Sequence, residues 1–134
     1  MFETAINVRG YELDSYGHVN HSVYLNYYEQ ARWELIRKAG LFDQLEKAGQ
    51  KLVVVKVEVR YVRELRLFDE LIVQTKVKKE SPYLVFYHKL INRDRNIQYS
   101  RAIIKIIMLD ERKTPLDIPD QMMSSLTKTS DGQA

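Results

Sequence analysis

The hydrophobic positions along this chain change period twice. Residues 4 to 12, TAINVRGYE, alternate with Ile6, Val8 and Gly10 on one side, which predicts a first strand. From Ser22 to Ala39 the period lengthens, and Tyr24, Tyr28, Ala31, Leu35 and Ala39 fall on one helical stripe with Tyr27 beside it. Arg37 and Lys38 occupy the last turn, where cations are favoured, and Gly40 is a left-handed terminator. After a short segment containing Gly49 the two-residue period returns four times. Val53, Val55, Val57, Val59 and Tyr61 alternate against Val54, Lys56, Glu58 and Arg60 as a half-buried strand, and Leu71, Val73, Thr75 and Val77 repeat the pattern. SPYLVFYHKLI and IQYSRAIIKIIML supply the other two runs, separated by the polar turn NRDRN.

The order is therefore strand, helix, then four strands. One helix has a stripe to bury and one antiparallel sheet has a face to cover, so the expected class is α+β, with the sheet wrapped around the helix. Short connections predict strands that are mostly neighbours in sequence order. Residues 113 to 134 lose periodicity and gain proline, serine and threonine. The domain is expected to span 1–112, followed by a polar tail over 113–134, partly ordered at most, in which Leu116, Ile118 and the methionine pair dock briefly. The valine-rich strand LVVVKVEVRYV would be an association hazard at an open edge, and this predicts edge pairing with a second copy of the chain.

Composition narrows the chemistry. A chain of 134 residues with 45% hydrophobic content is expected to form a single folded domain. It contains no cysteine, which removes disulfides, thiolate metal sites and cysteine nucleophiles, and makes the cytoplasm the expected compartment. The opening MFETAINVRG has no uninterrupted apolar core, so a secretion leader is not expected, and no run approaches the length of a transmembrane span. The net charge of +3 tilts the protein toward anionic partners. Nucleic acid is not the expected one, because no finger spacing, RNP-like string or long basic run is present.

The stretch DSYGHVNH, residues 14 to 21, carries the candidate chemistry. Asp14 lies in the loop between the first strand and the helix, where scaffolds present reactive groups. Gly17 permits a tight turn, and beyond Asn20 the helix start leaves backbone N–H groups unpaired. Such donors polarise a carbonyl or hold an oxyanion, while a carboxylate attacks an acyl carbon or activates water, so hydrolysis of an activated acyl group is coherent without metal or cysteine. His21 is a second candidate, for orienting substrate or water or assisting the leaving group. His18 is assigned a loop role. Asn20 and Ser22 are candidate helix caps. A zinc site built from Asp14, His18 and His21 is disfavoured because the spacing matches no established ligand pattern. Tyr24 lies one turn into the helix, where it serves the core or lines an acyl pocket. Glu29 and Arg32 read as a surface ion pair three residues apart.

The segment DSYGHVNHSVYLNYYEQAR resembles the Asp-x-x-Gly segment and aromatic-rich helix, ending Glu-x-Ala-Arg, of hot-dog-fold acyl-CoA thioesterases. The subgroup it resembles includes 4-hydroxybenzoyl-CoA thioesterase and the thioesterase associated with the Tol-Pal system. VEVRYVRELRLFDELIV resembles the family's second strand, linker and third strand, with Asp69 and Glu70 at an acidic turn. The resemblance implies a hot-dog fold and hydrolysis of acyl-CoA to a free acid and CoA. It makes Asp14 the nucleophile or general base, and the His21 backbone N–H the group that polarises the thioester carbonyl, with the His21 side chain assisting. Gly17, Asn20 and Tyr24 then shape the site. No metal, and no cofactor beyond the CoA of the substrate, is expected, and the resemblance further implies a homodimer with joined second strands, or a tetramer of such dimers. An acyl carrier protein as donor, and acyl binding without turnover, remain the alternatives.

Overall fold

The computed structural model describes residues 1–132. Five long strands, β1 (Phe2–Asn7), β2 (Lys51–Tyr61), β3 (Glu70–Glu80), β4 (Tyr83–Asn92) and β5 (Gln98–Leu109), form one antiparallel sheet with a short β6 (Pro115–Leu116). Around the sheet lie α1 (Val23–Lys38), α2 (Leu41–Lys47) and α3 (Asp120–Asp131). The sheet curls over α1, whose Tyr28, Ala31 and Leu35 are fully buried against Leu84, Phe86, Leu90 and Ile104 from the strands. Among the described residues no helix is long and apolar enough to cross a membrane.

The lateral order of the long strands is β1, β3, β4, β5, β2. Only β3, β4 and β5 are sequential neighbours, because β1 joins beyond β3 and β2 crosses to the far side of β5. The first strand is shorter than its hydrophobic pattern suggested. It begins at Phe2 and ends at Asn7, after which Gly10–Glu12 form a single 3-10 turn. Val8 nevertheless exchanges backbone hydrogen bonds with the Phe68–Asp69 turn.

β2 departs from the strict alternation. A register shift between Val54 and Lys56 puts Leu52, Val54, Val57, Val59 and Tyr61 opposite the inward-facing residues of β5. The strand is also far more exposed than half-buried: Val53, Val54, Val55, Val57 and Tyr61 are 37–47% accessible. β2 ends the sheet and has a strand on one side only.

Gly40, at φ 72°, ends α1 as expected, but the chain then enters α2, a helix where the hydrophobic pattern predicts only a short connecting segment. The C-terminal region is a larger correction. Where a partly ordered polar tail was expected over 113–134, β6 pairs with Met108 and Leu109, and α3 packs on the sheet with Ile118 and Leu126 fully buried and Met122 6% accessible. Lys79 fixes this segment by donating to the Ile118 carbonyl at 2.6 Å and pairing with Asp117. Residues 133 and 134 of that expected tail lie outside the described residues.

Arg32 is a further correction. Instead of pairing with Glu29 on the surface, it is 7% accessible and points into the core, with Nη1 3.4 Å from His88 Nε2. A guanidinium can only donate, so Nε2 accepts and the His88 proton resides on Nδ1, which donates to Thr75 Oγ1 at 2.9 Å. Burial, and then the Arg32 charge, pull the His88 pKa down from 6.5 to about 3. The neutral ring stacks on Tyr28 with centroids 5.0 Å apart, and the Tyr28 hydroxyl donates to Ser100 at 2.7 Å.

Candidate active site

The loop between β1 and α1 is fixed by one buried carboxylate. Glu12 is 6% accessible and accepts hydrogen bonds from the Arg9 amide and the Tyr27 hydroxyl, both at 2.8 Å, while its carbonyl accepts from the Asn20 amide at 2.9 Å. The same loop is stitched to the β2–β3 connection. The Val19 amide donates to the Leu65 carbonyl at 2.9 Å, and His18 bridges to Arg66. These bonds carry the polar stretch over to residues more than forty positions away.

Within the loop Asp14 organises a tight turn. Its Oδ1 accepts from the amides of Tyr16 at 2.9 Å and His18 at 3.2 Å, and its carbonyl accepts from Gly17 at 3.1 Å. Oδ2 has no hydrogen bond among the described residues. Gly17 adopts φ 79°, and a side chain there would meet nothing, so the backbone conformation alone requires glycine.

Asn20 closes the loop at the start of α1. Its Oδ1 accepts from the Ser22 amide at 3.0 Å and the Ser22 hydroxyl at 2.8 Å, and its carbonyl accepts from Val23 at 2.9 Å. The intervening His21 amide makes no hydrogen bond among the described residues. An unbonded N–H at the positive end of a sixteen-residue helix attracts a negatively polarised oxygen.

Asp14, His18, His21 and Tyr24 line a cleft of about 340 Å³ together with Tyr61, Arg63 and Glu64. Gly17 and Asn20 lie outside its lining and act through the backbone turns they hold. The His21 imidazole is exposed and meets Tyr61 edge-on, while Tyr24 is buried, meets Tyr61 at 4.9 Å between centroids, and donates its hydroxyl to the Arg63 carbonyl at 3.2 Å. Burial pushes the Tyr24 phenol up to about 12, which keeps it a hydrogen-bond donor at neutral pH. Glu64 sits 3.0 Å from Arg66 and 3.5 Å from His18, and the hydrogen bond from Arg66 holds its carboxylate below the ordinary range. No group of three or more His, Asp or Glu among the described residues is arranged to hold a metal ion.

Sequence reasoning missed Tyr61, Arg63 and Glu64 as cleft residues and Glu12 as the loop anchor. Tyr61 ends, and Arg63 and Glu64 follow, a strand whose position in the sheet is set by long-range pairing, which no local pattern encodes. Glu12 left no periodic signal, since it lies in the 3-10 turn.

The model of the thioesterase-like superfamily matches residues 8–126. The chain is 28% identical over 126 residues to acyl-acyl carrier protein thioesterase ATL3 of Arabidopsis thaliana, covering 91% of this chain and 65% of ATL3. It is 35% identical over 77 residues to the long-chain acyl-CoA thioesterase FadM of Escherichia coli, covering 58% of each. The chain thus spans less than two thirds of the length of these curated relatives. Among solved structures, the probable thioesterase YbaW from Escherichia coli superposes with a TM-score of 0.87 at 24% identity, covering 97% of this chain and 99% of that one, and shares the hot-dog fold.

Proposed function

The chain belongs to the thioesterase-like superfamily, and from that premise we propose that it hydrolyses acyl-CoA thioesters to a free acid and coenzyme A. One observation carries the reading: a carboxylate with an unbonded oxygen, at Asp14, and an unbonded helix-start amide, at His21, belong to residues that border the same cleft. These are the electron-rich and electron-poor halves that acyl transfer needs.

In this reaction the His21 N–H polarises the thioester carbonyl and receives the negative charge of the tetrahedral intermediate. Asp14 either attacks the carbonyl carbon directly or takes a proton from the water that does. Collapse of the intermediate breaks the C–S bond and the thiolate leaves. Where water attacked, this gives the free acid directly; where Asp14 attacked, it gives an Asp14 acyl anhydride that water then hydrolyses to the free acid and the Asp14 carboxylate. The exposed His21 imidazole orients the water or supplies a proton to that thiolate. Gly17 holds the turn that presents Asp14, Asn20 holds the amide-rich approach to the helix, and Tyr24 forms a wall of the cleft. No metal takes part, and the only coenzyme is the one in the substrate.

The open β2 edge supports a homodimer in which two such strands pair, or a tetramer of those dimers. The cytoplasm is the compartment this reading assigns. A second reading, with an acyl carrier protein as donor, draws on the likeness to ATL3.

Thiol release from short, medium, long and aromatic acyl-CoAs tests the proposal. Turnover of any class supports it and identifies the preferred acyl group. Inactivity on every CoA substrate overturns it and leaves the carrier-protein donor as the reading to test. Labelled water in a single turnover separates the two roles of Asp14, since label enters its carboxylate only if it attacks directly.

A further inference from the structure

A cavity of about 450 Å³ lies away from the cleft and shares none of its residues. It is a hollow on the sheet face that points away from α1, and four of its twelve lining residues, Arg60, Lys76, Lys89 and Arg101, are cations against the single carboxylate of Glu58. Arg60 of β2 is directly opposite Arg101 of β5, and Arg101 is directly opposite Lys89 of β4. Residues in such register have Cβ atoms about 4.5–5.5 Å apart, so three positive side chains stand in one lateral row. Lys76 of β3 lies one row away, opposite Tyr87.

Among the described residues none of these four cations has an ion-pair partner. The one carboxylate in the lining, Glu58, is engaged by Lys56 at 3.0 Å, outside the hollow. Like charges placed directly across a sheet destabilise it. A fold that places three in a row without an ion-pair partner concentrates positive potential in a concave space, and an anion that spans the row relieves it. Two arginine forks and an ammonium match the oxygens of adjacent phosphate groups, and the volume falls in the range of small-molecule sites. Tyr87 and Ile103 from the adjoining row give such a ligand an apolar surface to lie on.

We propose that this hollow is a second ligand site, which binds a small molecule through a diphosphate laid along Arg60, Arg101 and Lys89. The inference rests on the sheet register and charge alone and stands whether or not the cleft hydrolyses thioesters. A diphosphate reaches the site from one of two sources, a free nucleotide or the diphosphate arm of the coenzyme held in the cleft.

The test is calorimetric titration of the purified full chain with inorganic pyrophosphate, at fixed ionic strength and with sulfate as the control anion. Saturable binding of pyrophosphate, weakened at least about tenfold in Arg101→Gln and in Lys89→Gln, supports the site. Arg93→Gln also removes one positive charge but lies off the hollow, where Arg93 pairs with Glu70, and is expected to bind as wild type. Thermal unfolding excludes a merely structural row: Arg101→Gln relieves repulsion on both sides and is expected to hold or raise Tm, whereas a lowered Tm counts against the proposal. Failure of pyrophosphate to bind better than sulfate overturns the site, as does equal weakening by Arg93→Gln, or binding of an acidic protein without pyrophosphate. In a thiol-release assay, pyrophosphate that raises KM through these residues identifies the coenzyme arm as the source. A change in kcat at constant KM identifies a free nucleotide.

Discussion

The Tyr61 hydroxyl donates to the His21 carbonyl at 2.8 Å, tying the last residue of the open-edge strand to the residue whose amide is free in the cleft. Tyr61→Phe keeps the edge-on ring contact and removes this bond. A neutral hydrogen bond contributes about 0.5–1.5 kcal/mol, so kcat is expected to fall about two- to tenfold through a less well-held His21, with KM little changed. An unchanged kcat in Tyr61→Phe would show that the bond does not position the site.

Asp14 performs two tasks that substitution can separate. Asp14→Asn retains a side-chain oxygen to accept the Tyr16 and His18 amides, so the turn and the unfolding midpoint are expected to survive while thiol release drops at least about 100-fold. Asp14→Ala removes the acceptor as well and is expected to cost about 0.5–2 kcal/mol of stability, by analogy with lost caps. Comparing the urea midpoints of the two variants with their turnover decides the matter. Equal activity in Asp14→Asn and wild type would remove the carboxylate from the mechanism.

Most of this site was legible in the sequence because it is local. Asp14, Gly17, His21 and Tyr24 lie within eleven residues, and the change from alternating to helical period marks where the helix start must fall. What stayed hidden is non-local. The placement of β2 beside β5 brings Tyr61, Arg63 and Glu64 to the cleft, and it reflects a crossover that pairing of neighbours does not foresee. Arg32 read as a surface cation because charge usually marks the solvent face, whereas here the neutral His88 and its stacked neighbours receive it. The α3 helix did leave a trace, since Met122, Leu126 and Ser130 recur every fourth residue and are all buried, but serine and threonine masked it.

His88 makes stability depend on pH. Its folded pKa, about 3, lies below the 6.5 of the unfolded chain, so between these values the unfolded state binds the extra proton. The stabilisation is therefore full above pH 6.5 and is lost as the pH falls toward 3. The slope contributed by one such group is at most about 1.4 kcal/mol per pH unit. Urea unfolding at pH 7, 6, 5 and 4 is expected to give a declining free energy in wild type and a shallower decline in His88→Gln, whose amide oxygen still accepts from Arg32. Parallel curves for the two proteins would place the acid sensitivity elsewhere.

The exposure of β2 leads to a prediction about assembly. Five large side chains at 37–47% accessibility on one edge strand form an apolar strip that a lone subunit leaves in water. Each such residue contributes on the order of 1 kcal/mol when the remaining surface is covered, and an unpaired strand edge offers backbone hydrogen bonds to a partner of the same kind. The protein is expected to sediment at twice its 15.9 kDa chain mass, or a higher multiple, at micromolar concentration. Val57→Lys places a charge in the middle of the strip and is expected to shift the chain toward monomer. Because Tyr61 closes the same strand and holds His21, the monomeric variant is also expected to lose turnover, with the loss recovered in part at high protein concentration. A wild-type chain that sediments as a single subunit would refute the pairing, and full activity in a monomeric Val57→Lys would separate assembly from the site.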